Sequence, residues 1–134
     1  MKLATFTHND TQKIGAVEDD FVYDFSQSSL PKTMIEFIEL GEEGLKFARD
    51  IISTDKNAIN LSDVKIEAPI KQPSKILAVG LNYKAHLKEV EGLATERMGK
   101  PQVQYPNIFN KQNSSVTGPY DDIHRPRAST AIDY

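Results

Sequence analysis

Hydrophobic and polar positions alternate in short runs at the start of the chain. Lys2 to Thr7 and Lys13 to Val17 carry Leu, Phe, Ile and Val, and they flank the turn-like stretch His8-Asn9-Asp10-Thr11. A third run, Phe21 to Asp24, follows the acidic turn Glu18-Asp19-Asp20. Short apolar runs between Asn/Asp clusters predict hairpins, here a small antiparallel meander. The period then lengthens. Ser28-Ser29-Leu30-Pro31 reads as a helix start, Met34, Phe37 and Ile38 share one face, and Gly41 stops that helix. The next helix carries Leu45, Ala48, Ile51 and Ile52 on one stripe and frays near Ser53-Thr54.

Val64, Ile66 and Ala68 alternate with Lys65 and Glu67, predicting a half-buried strand that Pro69 ends. Pro69 and Pro73, within five residues, mark Ile70-Lys71-Gln72-Pro73-Ser74 as a linker. Lys75 to Gly80 reads as a buried strand, and a short helix from about Tyr83 to Glu91 follows, closed by Gly92. Gly92 to Pro106 is polar and reads as a mobile loop; Asn107 to Lys111 is a strand, Val116 to Asp122 a turn, and Ile132-Asp133-Tyr134 the start of a further strand. The fold class is therefore α+β, with a small domain over 1–70 and the opening of a second over 71–134. A second domain with so few strands leaves unpaired edges. The expectation is a chain truncated relative to its parent, or one that completes its sheet with another chain.

Composition narrows the chemistry. The 134 residues include no cysteine, which excludes disulfides, thiolate catalysis and Cys-ligated zinc or iron–sulfur sites. With 39% hydrophobic and 26% charged residues and a net charge of -3, the chain is ordinary globular material with no block of either sign. Neither nucleic acid nor an anionic membrane is expected as a partner. The N-terminus turns polar at Thr7-His8-Asn9-Asp10, so no signal-peptide core is expected, and the longest apolar run, Ile76 to Val79, is too short to span a bilayer. The expected compartment is the cytoplasm.

Chemistry concentrates in Gly80-Leu81-Asn82-Tyr83-Lys84-Ala85-His86-Leu87-Lys88-Glu89. A strand runs into glycine and a polar helix starts at once. His86 and Glu89 lie one helical turn apart, with Cβ atoms about 5–6 Å from each other. A carboxylate at that distance holds an imidazole in one tautomer and raises its basicity, so the pair can deprotonate water. Asn82 precedes His86 by four positions and is placed to cap the helix. The same spacing also describes an ordinary solvated pair, or two ligands of a metal whose third donor lies elsewhere. His8 and His124 carry no matching spacing and read as structural. Lys111, at a strand end, can bind a carboxylate or steady an oxyanion, or simply face solvent. The same choice holds for Arg125 and Arg127. GxGxxG, GxxxxGK and GxSxG motifs are all absent.

Lys75 to Tyr83 with His86 and Glu89 resembles the opening of the catalytic domain of the fumarylacetoacetate hydrolase family, an apolar strand followed by Gly-(Arg/Leu)-Asn-Tyr-x-x-His-x-x-Glu. Pro106 to Lys111 resembles its P-x-x-F-x-K strand. Gly118-Pro119 with Asp121 and Ile123 resembles its G-P-x-D-x-I turn, and Ile132-Asp133-Tyr134 resembles the residues before its metal-binding E-x-E. The resemblance implies a β-roll catalytic domain behind a small variable N-terminal domain, and a homodimer formed through the catalytic domain. It implies a magnesium or manganese ion held by the E-x-E glutamates and a later Asp, expected after Tyr134 and so not bound by this chain alone, which by itself is then not expected to catalyse the family reaction although its parent would. It also implies C–C bond cleavage in an acylpyruvate-like or fumarylacetoacetate-like oxo acid, with isomerisation or decarboxylation of a related oxo-dicarboxylate as the alternatives. A non-catalytic binding module is a further alternative. By motif, His86 would activate water, Glu89 would orient it, Asn82, Tyr83 and Lys111 would bind substrate, and Gly92 to Pro106 would act as a lid.

Overall fold

The computed structural model describes residues 1–54, 58–93 and 105–130. The Gly92 to Pro106 loop and the Ile132 to Tyr134 strand expected from the sequence lie largely or wholly outside the described residues. Two compact units emerge, Met1–Lys71 with Val116–Tyr134, and Gln72–Ser115.

The first unit is built on one antiparallel sheet. Its strands are β1 (Lys2–His8), β2 (Thr11–Glu18), β3 (Phe21–Asp24), β4 (Ile59–Asn60) and β5 (Lys65–Ile66), in the order β4-β3-β2-β1-β5. The meander follows from its turns. Asn9 and Asp10 both adopt positive φ, 50° and 57°, which gives a two-residue hairpin whose twist matches that of the strands. Register then pairs Leu3 with Ala16 and Thr5 with Ile14. Across the next hairpin Ala16 pairs with Tyr23, and the Lys13 Nζ donates to Asp24 at 2.7 Å, tying β2 to β3.

Two helices, α1 (Met34–Glu39) and α2 (Gly41–Thr54), close the core. Thr33 caps α1: its Oγ1 accepts from the Glu36 N–H at 3.3 Å and donates to the Glu36 carboxylate at 2.7 Å. Gly41 has φ +58°, a conformation that lets one helix stop and the next begin without a linker. Ile14, Ala16, Phe25, Leu30, Met34, Phe37 and Ala48 form the core, with the Phe25 and Phe37 rings stacked at 5.2 Å. Ile38 does not join them and stays 53% exposed. An α1 of six residues has under two turns, and its buried stripe is taken by Met34 and Phe37.

The segment after Val116 belongs to this first unit. Lys65 donates to Asp121 at 2.6 Å, and the Asp121 carboxylate accepts the Gly118 N–H at 2.9 Å. Both bonds hold the Asp121 carboxyl below the usual carboxylate range.

The second unit contains β6 (Ile76–Gly80), α3 (Lys84–Leu93) and β7 (Asn107–Lys111). The two strands pair antiparallel, from Ile76 opposite Lys111 to Gly80 opposite Asn107. Leu77, Val79 and Ile108 therefore share a face, and they are 62%, 48% and 62% exposed. The strand expected to be buried is thus half open in this chain, because only one partner strand is described beside it. Asn113 donates to the Pro73 carbonyl at 2.6 Å and closes the unit near its ends.

Candidate active site

The site grows from the end of β6. After Gly80 the backbone turns sharply: Leu81 has φ +53°, a left-handed conformation uncommon for a bulky residue. Asn82 and Tyr83 follow, both exposed, and α3 begins. The first helical turn is closed by the Leu87 N–H, which donates to the Tyr83 carbonyl at 3.2 Å. The opening carbonyl thus comes from Tyr83, one residue beyond the Asn82 cap expected from sequence.

Within the first turn of α3, His86 Nδ1 lies 3.4 Å from Glu89 Oε2. The side chains are 40% and 60% exposed. An ionised carboxylate only accepts hydrogen bonds, so this contact favours the tautomer with its proton on Nδ1 and leaves the Nε2 lone pair free. The Tyr83 ring stacks on the imidazole, with centroids 5.4 Å apart and planes 29° apart. Tyr83, His86 and Glu89 therefore form one continuous contact group.

Lys111 lies elsewhere along the ladder. It pairs with Ile76, whereas Gly80, from which the site departs, pairs with Asn107. Four residues separate those pairs, roughly 13 Å along a strand. Lys111 Nζ sits 5.5 Å from the Phe109 ring centroid, a cation–π contact. The residue that register places opposite Gly80 is Asn107, which carried no role in the sequence reading. A signal for it was present: it opens the strand after Pro106, and antiparallel pairing sets the start of one strand against the end of the other.

Among the described residues no group of three His, Cys, Asp or Glu side chains is arranged to hold a metal ion. These residues do not by themselves form a site for the magnesium or manganese that the family resemblance implies. What the contact group offers is an imidazole whose Nδ1 faces a carboxylate and whose ring is stacked on Tyr83.

Comparison with known proteins decides the family. The sequence profile described as fumarylacetoacetate (FAA) hydrolase C-terminal matches residues 75–134. The chain belongs to the fumarylacetoacetate hydrolase family. The mitochondrial oxaloacetate tautomerase FAHD2A of Bos taurus is 36% identical over 108 residues, covering 81% of this chain and 32% of that protein. The mitochondrial oxaloacetate tautomerase fahd2 of Xenopus laevis is 33% identical over 143 residues, covering 100% of this chain and 41% of that protein. The chain thus spans about a third to two-fifths of the length of these family members. A solved family structure, maleylpyruvate hydrolase from Sphingobium sp. SYK-6 with manganese(II) ion and pyruvate, superposes with a TM-score of 0.63 at 27% identity. That match covers 95% of this chain and 43% of the hydrolase. The mixed α/β architecture with its antiparallel sheets and few helices is therefore a family fold. The cytoplasmic expectation now stands beside relatives named as mitochondrial. No helix among the described residues is long and apolar enough to cross a membrane.

Proposed function

We propose that His86 and Glu89 are the proton-transferring pair of an enzyme acting on enolisable 2-oxo acids, and that its reaction is keto–enol tautomerisation of an oxaloacetate-like diacid. The observation that carries this reading is the 3.4 Å contact from His86 Nδ1 to Glu89 Oε2 at the head of α3. It leaves Nε2 as the base. Tautomerisation asks for little more: Nε2 takes a proton from the carbon next to the oxo group, the electron pair moves onto oxygen, and the imidazolium returns the proton there. Glu89 keeps the ring oriented through both steps. The Asn82 amide is assigned to a carboxylate of the substrate. The relatives carrying the tautomerase name, at 36% and 33% identity, support this choice.

A second reading is hydrolysis of a C–C bond in an acylpyruvate-like or fumarylacetoacetate-like acid, supported by the maleylpyruvate hydrolase neighbour. There His86 would deprotonate water, and the same enolate would be the leaving group. Decarboxylation of an oxo-dicarboxylate would pass through that enolate as well. A homodimer formed through residues 71–134 belongs to the same proposal, and sedimentation equilibrium reads it directly.

The test follows the enol absorbance of oxaloacetate with the protein in manganese-containing buffer, beside His86→Asn. Loss of the base should slow conversion about a hundredfold or more. Equal rates in both would end the reading. Pyruvate released from an acylpyruvate faster than oxaloacetate tautomerises would favour the hydrolase instead.

A further inference from the structure

We propose that Tyr83 is a positioning residue for His86: its stacked ring holds the imidazole in the plane that keeps Nδ1 on Glu89, so the Nδ1–H tautomer depends on both contacts. The inference rests on the assignment of His86 as the base and deepens it. A histidine ring turns about its terminal torsion in a broad well, so one contact at Nδ1 leaves the direction of Nε2 loosely defined. His86 has two contacts. Glu89 Oε2 sits 3.4 Å from Nδ1, and the Tyr83 ring lies against the imidazole with centroids 5.4 Å apart and planes 29° apart. A hydrogen bond and a stacked face together define both the axis and the plane of the ring.

Tyr83 is itself held for this purpose. Its carbonyl accepts the Leu87 N–H at 3.2 Å, which locks it to the first turn of α3. The chain reaches it through Leu81 at φ +53°, and strained backbone of this kind persists where the surroundings require a particular delivery of side chains. Burial does not explain the ring, because Tyr83 is 60% exposed. Its described ring contact is the one with His86.

The experiment reads the His86 tautomer in the whole chain by long-range ¹H–¹⁵N spectra of the imidazoles, at a pH where the ring is neutral. His86→Asn assigns the signal among the three histidines. The wild type and Tyr83→Phe should show the Nδ1–H form. Tyr83→Leu should move towards the mixture of an unrestrained imidazole and lower kcat about two- to tenfold, the range expected from losing one aromatic contact. KM should change less than twofold, and Tyr83→Phe should restore both kcat and tautomer. Protection of the Leu87 amide from exchange checks that α3 is intact, and Tyr83→Met repeats the comparison if Tyr83→Leu frays it. An unchanged tautomer in Tyr83→Leu overturns the inference. So does a Tyr83→Phe variant with a severalfold higher KM and the tautomer intact, since the phenol would then be a substrate contact. Turnover untouched by His86→Asn sinks the base assignment alone, and the spectra still decide whether Tyr83 restrains the ring.

Discussion

Replacing Gly15 by alanine should be one of the most damaging single-methyl changes in the first unit. Gly15 lies in β2, between Ala4 of β1 and Asp24 of β3. A Cβ there would stand 2.2 Å from the Tyr23 carbonyl oxygen and 3.1 Å from Phe6 Cε1. Close carbon–oxygen contacts between strands sit near 3.3–3.6 Å, so β3 would have to retreat by about 1 Å. The obstacle is a backbone atom, which cannot rotate aside, and Phe6 is fully buried and cannot give way either. Overpacking of this kind typically costs about 1–3 kcal/mol. The depth of the overlap places Gly15→Ala near the top of that range, after an offset of about 0.4–1 kcal/mol from the reduced entropy of the unfolded chain. At about 4–8 °C per kcal/mol for a domain of this size, Tm should fall by roughly 10–20 °C. Thermal and urea melts by circular dichroism measure it. Gly41→Ala is the comparator: it has open space around its Cβ but φ +58°, so it should lose only about 1–2 kcal/mol. If Gly15→Ala melts within a few degrees of the wild type, or above Gly41→Ala, the close approach of β2 and β3 at that position is wrong.

Three further outcomes are expected. Phe37→Ala removes a ring that is 1% exposed and stacked on Phe25, and should cost about 3–5 kcal/mol in urea melts. Burial raises the Asp24 pKa, but the Lys13 ammonium and the Ser26 N–H and hydroxyl outweigh it and leave the carboxyl below its usual range. A carboxyl lowered on folding adds stability above its unfolded pKa of about 4 and loses it as pH falls through the folded value. Asp24→Asn should therefore lower the stability at pH 7 by about 1 kcal/mol and converge on the wild type in melts near pH 2. Glu89→Ala should reduce kcat about ten- to hundredfold in the oxaloacetate assay, and Glu89→Gln less, because an amide oxygen still accepts the Nδ1–H.

The sequence made local features readable and left the distant ones hidden. The Asn9-Asp10 turn and the alternation around it specify β1 and β2 because hairpin register is set by neighbouring residues. The His86–Glu89 contact was readable for the same reason, since helical spacing alone brings positions three apart together. Long-range pairing carries no such signature. Nothing near Val116 announces that its segment belongs with the first unit through Lys65 and Asp121, which are 56 positions apart. The two-residue strand β4 is too short to show a period, whereas β5 lies within the alternation from Val64 to Ala68 that predicted it. Thr5 donating to the Pro69 carbonyl at 2.7 Å is likewise visible only once the sheet exists. Ile38 misled because its apolar character fits the helical stripe, while the length of α1, which decides its burial, is set by Gly41. The Leu81 backbone was illegible too, as leucine is not the residue from which positive φ is inferred.

Stability and chemistry are divided between the two units. The largest fully buried side chains, Phe6, Phe25, Phe37 and Val22, all lie in the first unit. Among the described residues of Gln72–Ser115, none is buried. The His86 group sits on this lightly packed unit, where a two-stranded ladder is only marginally stable by itself. Its geometry therefore comes from local devices: the Leu81 turn, the Tyr83 carbonyl that opens α3, and the helical spacing of Tyr83, His86 and Glu89. On the proposed reading, such a site can be retuned by changing one side chain at little cost in global stability. It also predicts how variants partition: substitutions at positions 83 and 89 should move kcat and the His86 tautomer, and those at position 86 kcat, while leaving Tm nearly constant, whereas core substitutions in the first unit should do the reverse.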